Sequence, residues 1–381
     1  MIIDQSHAIN LHQLNLPPRL LLGPGPSNPH PRVLQALSYP TLGHLDPKFV
    51  ELMSEVQELL RYAWQTSNQY TLPISATGSG GMESALANSI EPGDVILVGV
   101  NGYFGERICE IASRFGGEVC RLEVPWGDVF ELDTLKNAIE KYNPSVLALV
   151  HAETSTGACQ PFNGIADLCH SHGCLLLTDT VTSLGGVPLF IDSWGIDISY
   201  SGTQKCLGCP PGLAPITFNA LAMEKINSRK KKVKSWYFDM TLISKYWGSE
   251  RTYHHTAPIN MAYALREALR MVVEEGLETR WDRHYQNAKL LWDGLQEIGI
   301  SCHVSLPNRL PSLTTALIPE EVDGKAVIRY LMDHYNIEIS GGIGQLAGKV
   351  WRIGLMGNNS KAENVLLLVN AILDAMNHCK K

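Results

Sequence analysis

Apolar and polar positions alternate along the middle of the chain in a pattern that predicts a parallel sheet. Seven short apolar runs, several of them rich in β-branched residues, predict strands, and most of the stretches between them have helical periodicity. The seven runs are YTLPIS, VILVGV, EVCRLEV, VLALVHA, LLLTD, IDISYS and APITF. Strands that alternate with helices form a mostly parallel sheet flanked by helices. We therefore predict an α/β fold with a seven-stranded sheet, in which ligands bind outside the carboxyl ends of the strands.

The pattern changes near the end of this region. Residues 259–299 have helical periodicity throughout and are predicted as one long helix, and alternating strand and helix patterns follow them. We predict a large domain at residues 19–275 and a smaller α+β domain at residues 276–381. Residues 1–18 are bounded by prolines, belong to neither domain, and are predicted as an N-terminal arm.

Composition places the chain among ordinary soluble globular proteins. It has 381 residues, 45% apolar and 18% charged, with a net charge of −7 that argues against nucleic acid as a partner. The basic run RKKKVK at 229–234 is short and predicts a solvated loop or helix end. No apolar run is long enough for a bilayer, so no membrane partner is expected. Nine cysteines without regular spacing are typical of a reducing compartment, and we predict a cytoplasmic protein.

One candidate for chemistry is the glycine-rich segment ATGSGGMESA at 76–85. A strand is predicted to end at about Ser75 and a helix to begin near Met82. Free backbone N–H groups at a helix start form an anion site suited to phosphate. A tight turn that binds nothing is the alternative. A dinucleotide-binding loop is disfavoured, because the last glycine of that pattern is replaced by Glu83.

Two further candidates follow predicted strands of the same sheet. Asp179 ends the run LLLTD, so its carboxylate needs a cationic or donor partner, or it caps the next segment. Gln204 and Lys205 follow IDISYS, and Lys205 is either a solvated loop charge or an amine that forms an imine with a carbonyl group. Cys206 and Cys209 form a lone Cys-x-x-Cys pair, which we interpret as packing residues rather than a redox or zinc site.

These three segments meet at one edge of the predicted sheet and together match the needs of one cofactor. Pyridoxal 5′-phosphate requires backbone donors for its phosphate, an acidic partner for its ring nitrogen and a lysine for its aldehyde. The sequence therefore predicts pyridoxal 5′-phosphate as the cofactor.

Longer motifs along almost the whole chain carry a resemblance to a known family. They are LLLGPGPSNPHPRVL, EPGDVILVGVNGYFGER, HAETSTGACQPFNGIADLCH, LLLTDTVTSLGGVPLFIDSWGIDISYSGTQKCLGCPPG, YHHTAP, ALREAL and VWRIGLMGNN. The chain resembles the class V, fold-type I aminotransferases. Within them it is most similar to the members that exchange amino groups between alanine or serine and glyoxylate or pyruvate.

The resemblance implies roles for individual residues. Lys205 would carry the internal aldimine and move the proton at the substrate Cα, and Asp179 would pair with the pyridinium nitrogen. The other cofactor-binding positions that it implies are Ser79, Gly80, Gly81, Phe104, Ser155, Gln204, Tyr253 and Thr256. The last two of these would reach the phosphate of the neighbouring subunit in a homodimer. Well-known members often have Trp at the position of Phe104 and a bulkier residue at that of Gly81.

The substrate site is implied in the same way. Arg352 would bind the substrate carboxylate with both guanidinium N–H arms, as its planar geometry favours. Gly25 and Ser155 would line a small pocket. The implied activity is ping-pong transamination of alanine or serine with glyoxylate or pyruvate.

Other functions remain as alternatives. Within the same fold these are serine–glyoxylate transamination and cysteine desulfuration, and the latter needs a mobile cysteine that SGGIGQLAGKVWRIG does not contain. A non-catalytic binding module and a nicotinamide-dependent dehydrogenase are more distant. No metal is predicted, because His254 and His255 are expected to point apart and CHSHGC at 169–174 is explained by packing and solvation.

Overall fold

The computed structural model describes residues 13–381, so most of the predicted N-terminal arm lies outside the described residues. Residues 13–18 are exposed and belong to no helix or strand. None of the helices between residues 13 and 381 combines the length and apolar composition needed to cross a membrane.

The described residues form fourteen strands and twelve α-helices. The strands are β1 (Leu20–Leu21), β2 (Tyr70–Ile74), β3 (Val95–Val100), β4 (Glu118–Glu123), β5 (Val146–Val150), β6 (Ala152–Glu153), β7 (Ala158–Cys159), β8 (Leu175–Asp179), β9 (Ile198–Tyr200), β10 (Ala214–Phe218), β11 (Leu313–Leu317), β12 (Ile337–Glu338), β13 (Ser340–Gly341) and β14 (Val350–Gly354). The helices are α1 (Pro31–Leu37), α2 (Pro47–Trp64), α3 (Gly78–Ser89), α4 (Tyr103–Phe115), α5 (Leu132–Tyr142), α6 (Ile165–Ser171), α7 (Ala220–Asn227), α8 (Met240–Trp247), α9 (Ile259–Glu275), α10 (Leu277–Glu297), α11 (Gly324–Tyr335) and α12 (Ala362–His378).

The seven predicted strands form one sheet in the order β2-β10-β9-β8-β5-β3-β4. The pairs from β9 through β4 are parallel, and β10 runs antiparallel to both of its neighbours. Every residue of β5, β8 and β10 is buried. Because successive side chains point to opposite faces, both faces of the sheet must be covered. The predicted mostly parallel α/β fold is confirmed.

A second, antiparallel sheet with the order β11-β14-β13 lies in the carboxyl-terminal part of the chain. One hydrophobic cluster draws its buried residues from 33–281, and a second cluster draws them from 291–379 together with Leu22. Strand β1 pairs in parallel with β12, so the start of the described chain joins this second part. The proposed domain boundaries stay a prediction, and hydrophobic periodicity does not predict the pairing of β1 with β12.

The prediction of one long helix over 259–299 was wrong. The chain forms α9 and α10, which are separated at Gly276, whose φ is +80°. This is a backbone conformation that glycine adopts without a steric penalty. The N–H of Gly276 still closes the last turn of α9 on Val272 O at 3.0 Å, and its carbonyl accepts the N–H of Arg280 at 3.0 Å. A period of 3.6 residues continues across the break, which explains why the sequence pattern hides it.

Arg280 connects the first turn of α10 with the loop that follows β9. Its side chain is buried and donates to the carbonyl of Cys206 at 2.6 Å and to that of Gly185 at 2.9 Å. The remaining guanidinium nitrogen, Nη1, forms an ion pair with Glu275 at 2.6 Å. Glu275 also forms an ion pair with Arg283 at 2.6 Å. Buried polar groups with this many partners fix the geometry of the segments that they join.

We expect Arg280→Met to lower the free energy of unfolding by about 3 kcal/mol, because two buried carbonyls lose their donor. The measurement is the urea midpoint of the cofactor-free protein, followed by far-UV circular dichroism. Lys289→Met on the same helix is the matched control. Lys289 is 60% exposed and lies 3.9 Å from Asp293, so its loss should cost less than about 0.5 kcal/mol. Equal midpoints for the two variants would contradict the role of Arg280.

Candidate active site

The candidate site lies at the carboxyl ends of β5, β8 and β9. Asp179 is the last residue of β8 and lies in register with Val150 of β5 and Tyr200 of β9. Lys205 lies in the loop between β9 and β10, where Ser27 Oγ donates to its carbonyl at 2.9 Å. The sheet register therefore brings the predicted carboxylate and lysine to the same edge.

Asp179 is 3% exposed and has two hydrogen-bond donors. Its Oδ1 accepts the backbone N–H of Val181 at 2.8 Å, which is the capping interaction, and its Oδ2 accepts the hydroxyl of Tyr200 at 2.8 Å. Burial raises the pKa of Asp179 to about 6. The two hydrogen bonds and, separately, the charge of Lys205 offset part of that rise. The ionised carboxylate is therefore short of a positive partner within the described residues.

Lys205 is also buried. Burial lowers the pKa of its amine to about 8, the charge of Arg352 lowers it further, and Asp179 raises it. Its Nζ donates to the carbonyl of Pro24. A lysine with this pKa has an appreciable neutral fraction near pH 7, which an amine nucleophile requires. The next residue, Gly25, has φ +107°, and a Cβ there would lie 2.6 Å from Nζ, so only glycine fits.

Helix α3 begins at Gly78, so the prediction of a start near Met82 was wrong. Thr77 precedes the helix, and its carbonyl accepts the N–H groups of Gly80 at 2.8 Å and Gly81 at 3.1 Å. The glycine-rich segment is thus the first turn of the helix, not a loop before it. A Cβ at Gly81 would lie 2.9 Å from the side chain of a β10 alanine, so the missing side chain lets α3 start close to the sheet.

This first turn retains hydrogen-bonding capacity. The N–H groups of Gly78 and Ser79 lie ahead of the first intrahelical partners, as at any helix start. The loop that carries Gln204 passes this helix start. A Cβ on Gly78 would lie 3.6 Å from Gly202 Cα, and a Cβ on Gly202 would lie 2.8 Å from Gln204 Oε1. This Oε1 is buried and has no hydrogen-bond partner among the described residues.

Phe104 lies half-buried in the first turn of α4. Arg107 follows one turn later, with its guanidinium 4.9 Å from the centre of the Phe104 ring. The same guanidinium donates to Ser79 Oγ at 3.2 Å. Arg107 therefore connects the ring of Phe104 with the start of α3. Sequence reasoning missed it, although the helical spacing from Phe104 was available.

A second buried carboxylate, Glu153, was also missed. It is fully buried and accepts the N–H of Ser155 at 3.0 Å, the hydroxyl of Ser155 at 2.6 Å and the N–H of Phe104 at 3.1 Å. Burial raises the pKa of Glu153 to about 7, while these bonds lower it and the charge of Asp179 raises it further. The signal that pointed to Asp179 was present here too, since Glu153 follows the apolar run VLALVHA.

Arg352 lies in the middle of β14 and is 9% exposed. Its Nε donates to the carbonyl of Gly341 at 2.8 Å, while Nη1 and Nη2 have no hydrogen-bond partner within residues 13–381. Burial lowers the pKa of Arg352, and the charge of Glu153 raises it. The charge of Arg352 in turn lowers the pKa of Lys205, so Arg352 lies within electrostatic range of both Glu153 and Lys205. Its free arms are suited to a carboxylate.

Tyr253 and Thr256 are not part of this group. Both are exposed, Tyr253 by 57%, and the ring of Tyr253 lies 5.1 Å from that of His44. The expectation that His254 and His255 point apart was wrong, because the backbone bends here and brings their Nδ1 atoms within 2.8 Å. Across residues 13–381, no three His, Cys, Asp or Glu side chains are arranged to hold a metal ion.

The Cys-x-x-Cys pair is buried in the loop at residues 201–213 that carries Lys205, here called the lysine loop. Burial raises the pKa of Cys206 to about 11 and that of Cys209 to about 12, so both thiols are protonated at neutral pH. Cys206 Sγ donates to the carbonyl of Thr182 at 3.4 Å. Protonated thiols are poor nucleophiles and poor metal ligands.

Comparisons with known proteins match nearly the whole chain to one family. The family model for class-V aminotransferases matches residues 23–368. The chain is 45% identical to alanine–glyoxylate aminotransferase of Rattus norvegicus over 372 residues, covering 97% of this chain and 90% of the relative. It is 39% identical to (S)-ureidoglycine–glyoxylate transaminase of Bacillus subtilis, covering 94% of this chain and 90% of the relative. A solved structure of alanine–glyoxylate aminotransferase from Nostoc sp. superposes with a TM-score of 0.97 at 55% identity, covering 98% of this chain and 100% of that chain.

The raised pKa of Asp179 predicts a pH-dependent effect of Asp179→Asn on the cofactor-free protein. Because the folded pKa of about 6 exceeds the unfolded value of 3.8, ionisation destabilises the fold above pH 6, and protonation relieves this cost as pH falls. We expect the variant to raise the free energy of unfolding by about 1–3 kcal/mol at pH 7.5, and by about half as much at pH 5.

Urea denaturation at several pH values measures this difference. Asp133→Asn, at an exposed position in the first turn of α5, controls for the loss of a carboxylate as such. A destabilised Asp179→Asn protein at pH 7.5 would contradict the assignment of a desolvated charge to Asp179.

Proposed function

From the premise that this chain belongs to the class-V aminotransferase family, whose members use pyridoxal 5′-phosphate, we propose that it transfers the amino group of alanine or serine to glyoxylate or pyruvate. The observation that carries this proposal is the burial of Lys205 and Asp179 at the carboxyl edge of the central sheet, with Arg352 of β14 close enough for its charge to lower the pKa of Lys205. The names of the three relatives reported above all include glyoxylate, which supports glyoxylate as the acceptor.

The residues present fit the cofactor. At one end, the free N–H groups and the hydroxyl at the start of α3 suit a phosphate, and the amide of Gln204 has unused hydrogen-bonding capacity. At the other end, the buried carboxylate of Asp179 lacks a cation, and a protonated ring nitrogen would offset its desolvation. When bound, pyridoxal 5′-phosphate supplies an electron sink for the charge that develops at the substrate Cα.

We assign the remaining chemistry to side chains of this chain. Lys205 accepts and returns the proton at the substrate Cα, for which a pKa of about 8 is well matched to neutral pH. Asp179 would stabilise a positive charge at the ring nitrogen of the bound cofactor. Arg352 orients the substrate by binding its carboxylate through Nη1 and Nη2. The phenyl ring of Phe104 would supply an apolar face for the cofactor ring.

The charges near Lys205 favour substrates with one carboxylate. Arg107 is engaged by Ser79 at the start of α3, which leaves Arg352 as the guanidinium available to a substrate among the described residues around Lys205. Asp179 and Glu153 are negative when ionised and would repel a second substrate carboxylate. Alanine, serine, glyoxylate and pyruvate each carry a single carboxylate.

Tyr253 and Thr256 enter the proposal through a homodimer. They lie on an exposed loop that is tied to the end of β2 by a 2.6 Å hydrogen bond between His255 Nε2 and Ser75 Oγ. We propose that this loop completes the phosphate site of a second copy of the chain. The nine cysteines, odd in number and irregularly spaced, support a reducing, cytoplasmic location.

The function is tested by a screen of the first half-reaction. Holoenzyme is mixed with one amino acid and no 2-oxo acid, and the visible band of the cofactor is followed by stopped flow. We expect alanine and serine to bleach the band and release one equivalent of 2-oxo acid per site. Glutamate and phosphoserine should react at least about 100-fold more slowly, because their second acidic group has no cationic partner.

Two results would overturn this proposal. Bleaching by glutamate or phosphoserine alone would show that the substrate class is wrong. The second result is a protein that binds pyridoxal 5′-phosphate but reacts with no amino acid, or that does not bind the cofactor at all. Either would indicate a non-catalytic binding module rather than a transaminase.

Arg352→Lys should raise the KM for alanine by about 10–100-fold and change kcat less, because a single ammonium cannot replace two guanidinium arms on a carboxylate. Steady-state kinetics with glyoxylate as acceptor measures this change, and the cofactor dissociation constant should stay within about threefold. Arg266→Lys in α9, whose partner is Glu55 at 2.7 Å, is the matched control. An unchanged KM in Arg352→Lys would assign the substrate carboxylate to another residue.

A further inference from the structure

We propose that Glu153 is a positioning residue for the transamination, and that its carboxylate fixes the start of α4 and thereby the Phe104 ring and the Ser155 hydroxyl. The proposal rests on the proposed function for its kinetic test only. Its structural part concerns three side chains of this chain and can be measured without the cofactor.

The first turn of α4 lacks an ordinary cap. Gly102 occupies the N-cap position and has no side chain to accept the free N–H groups of the helix. Two residues from the segment after β5 take over this task. Glu153 accepts the N–H of Phe104 at 3.1 Å, and Ser155 Oγ accepts the N–H of Tyr103 at 2.9 Å.

The two caps are joined in a directed chain of hydrogen bonds. Tyr103 N–H donates to Ser155 Oγ, and the Ser155 hydroxyl then donates to Glu153 at 2.6 Å. The backbone N–H of Ser155 donates to the same carboxylate oxygen at 3.0 Å. Because the hydroxyl has one hydrogen, its direction is fixed only while Glu153 remains an acceptor. The orientation of Ser155 therefore depends on Glu153.

Gly102 is required here for space. Its φ of 178° is an extended conformation open to any residue, so backbone strain does not select glycine. A Cβ on Gly102 would instead overlap the Glu153 side chain and lie 2.6 Å from Ser155 Oγ. The helix start, the carboxylate and the hydroxyl are thus in direct van der Waals contact. A shift of Glu153 must move Phe104 or Ser155.

Burial raises the pKa of Glu153 to about 7, and the hydrogen bonds from Ser155 and Phe104 oppose that rise. Glu153 is fully buried and has no salt-bridge partner among the described residues. The positive end of the α4 dipole and three hydrogen bonds are its compensation. Its charge also stabilises the protonated form of Arg352, which faces the same site. Glu153 therefore acts through other residues and is not assigned a contact with the substrate.

The test compares Glu153→Gln with Glu106→Gln. The glutamine is nearly isosteric, but one of its two polar atoms is an NH₂ group that must face a donor of Ser155 or Phe104. Glu106 is also in the first turn of α4 but is half-exposed and lies 3.8 Å from Arg121, so its substitution should have little effect. A variant Ser155→Ala removes the chain of hydrogen bonds and keeps the contact of Glu153 with Phe104.

In cofactor-free protein we expect Glu153→Gln to speed amide hydrogen exchange at residues 103–106 by about tenfold or more, as measured by mass spectrometry. Ser155→Ala should speed exchange at Tyr103 more than at Phe104. In holoenzyme we expect kcat to fall by about 10–100-fold with the KM for alanine within about threefold, and the visible circular dichroism of the bound cofactor to weaken.

Three outcomes would overturn the proposal. They are wild-type exchange and kinetics in Glu153→Gln, a loss of kcat with unchanged exchange and circular dichroism, or equal effects in Glu106→Gln. If Glu153→Gln does not fold, faster exchange confined to the start of α4 in Ser155→Ala supports the proposal, and wild-type exchange there overturns it. A wild-type protein without transaminase activity would contradict the proposed function and would leave the exchange result as the test of Glu153.

Discussion

The burial of charged groups at one edge of a parallel sheet is the constraint on which the rest of this structure depends. Asp179, Lys205 and Glu153 each have a pKa shifted toward the neutral form, and in each case desolvation is the largest cause. Removing such groups from water without full pairing costs free energy that the fold must supply elsewhere. A ligand that brings a cation to Asp179 and a carboxylate to Arg352 would recover part of this desolvation free energy. The same unpaired charges would then favour both binding and reaction.

This arrangement requires close packing of backbone against the charged side chains. At two positions glycine permits that packing because it has no side chain. At Gly25 a side chain would collide with the lysine amine, and at Gly102 it would collide with Glu153 and Ser155. The first position has a left-handed φ of +107°, and the second has an extended backbone. Glycine is thus required once for conformation and space and once for space alone. In both cases the missing side chain lets a charged group approach the backbone of another segment.

The predictable part of the site follows from sheet geometry, which the sequence expresses locally. Seven apolar runs predicted the sheet, and residues at their carboxyl ends predicted the placement of Asp179 and Lys205. Periodicity could not find the break at Gly276, since the helical pattern continues across it. It also could not reveal the pairing of β1 with β12, which joins segments from opposite ends of the chain. Glu153 follows an apolar run as Asp179 does, but its bonds to the N–H of Phe104 and to Ser155 depend on the folding of the segment after β5 against α4, which periodicity does not express.

The lysine loop is held from more than one part of the chain. Ser27 donates to the carbonyl of Lys205 and lies shortly after β1, which pairs with β12 in the carboxyl-terminal part. Arg280 donates to the carbonyl of Cys206 from α10, which packs against α12 of that same part. Asp179, in contrast, is fixed by the central sheet through its position at the end of β8. A displacement of the carboxyl-terminal part relative to the sheet would therefore move Lys205 relative to Asp179. The distance between Lys205 and Asp179 is therefore set by the packing of both parts together.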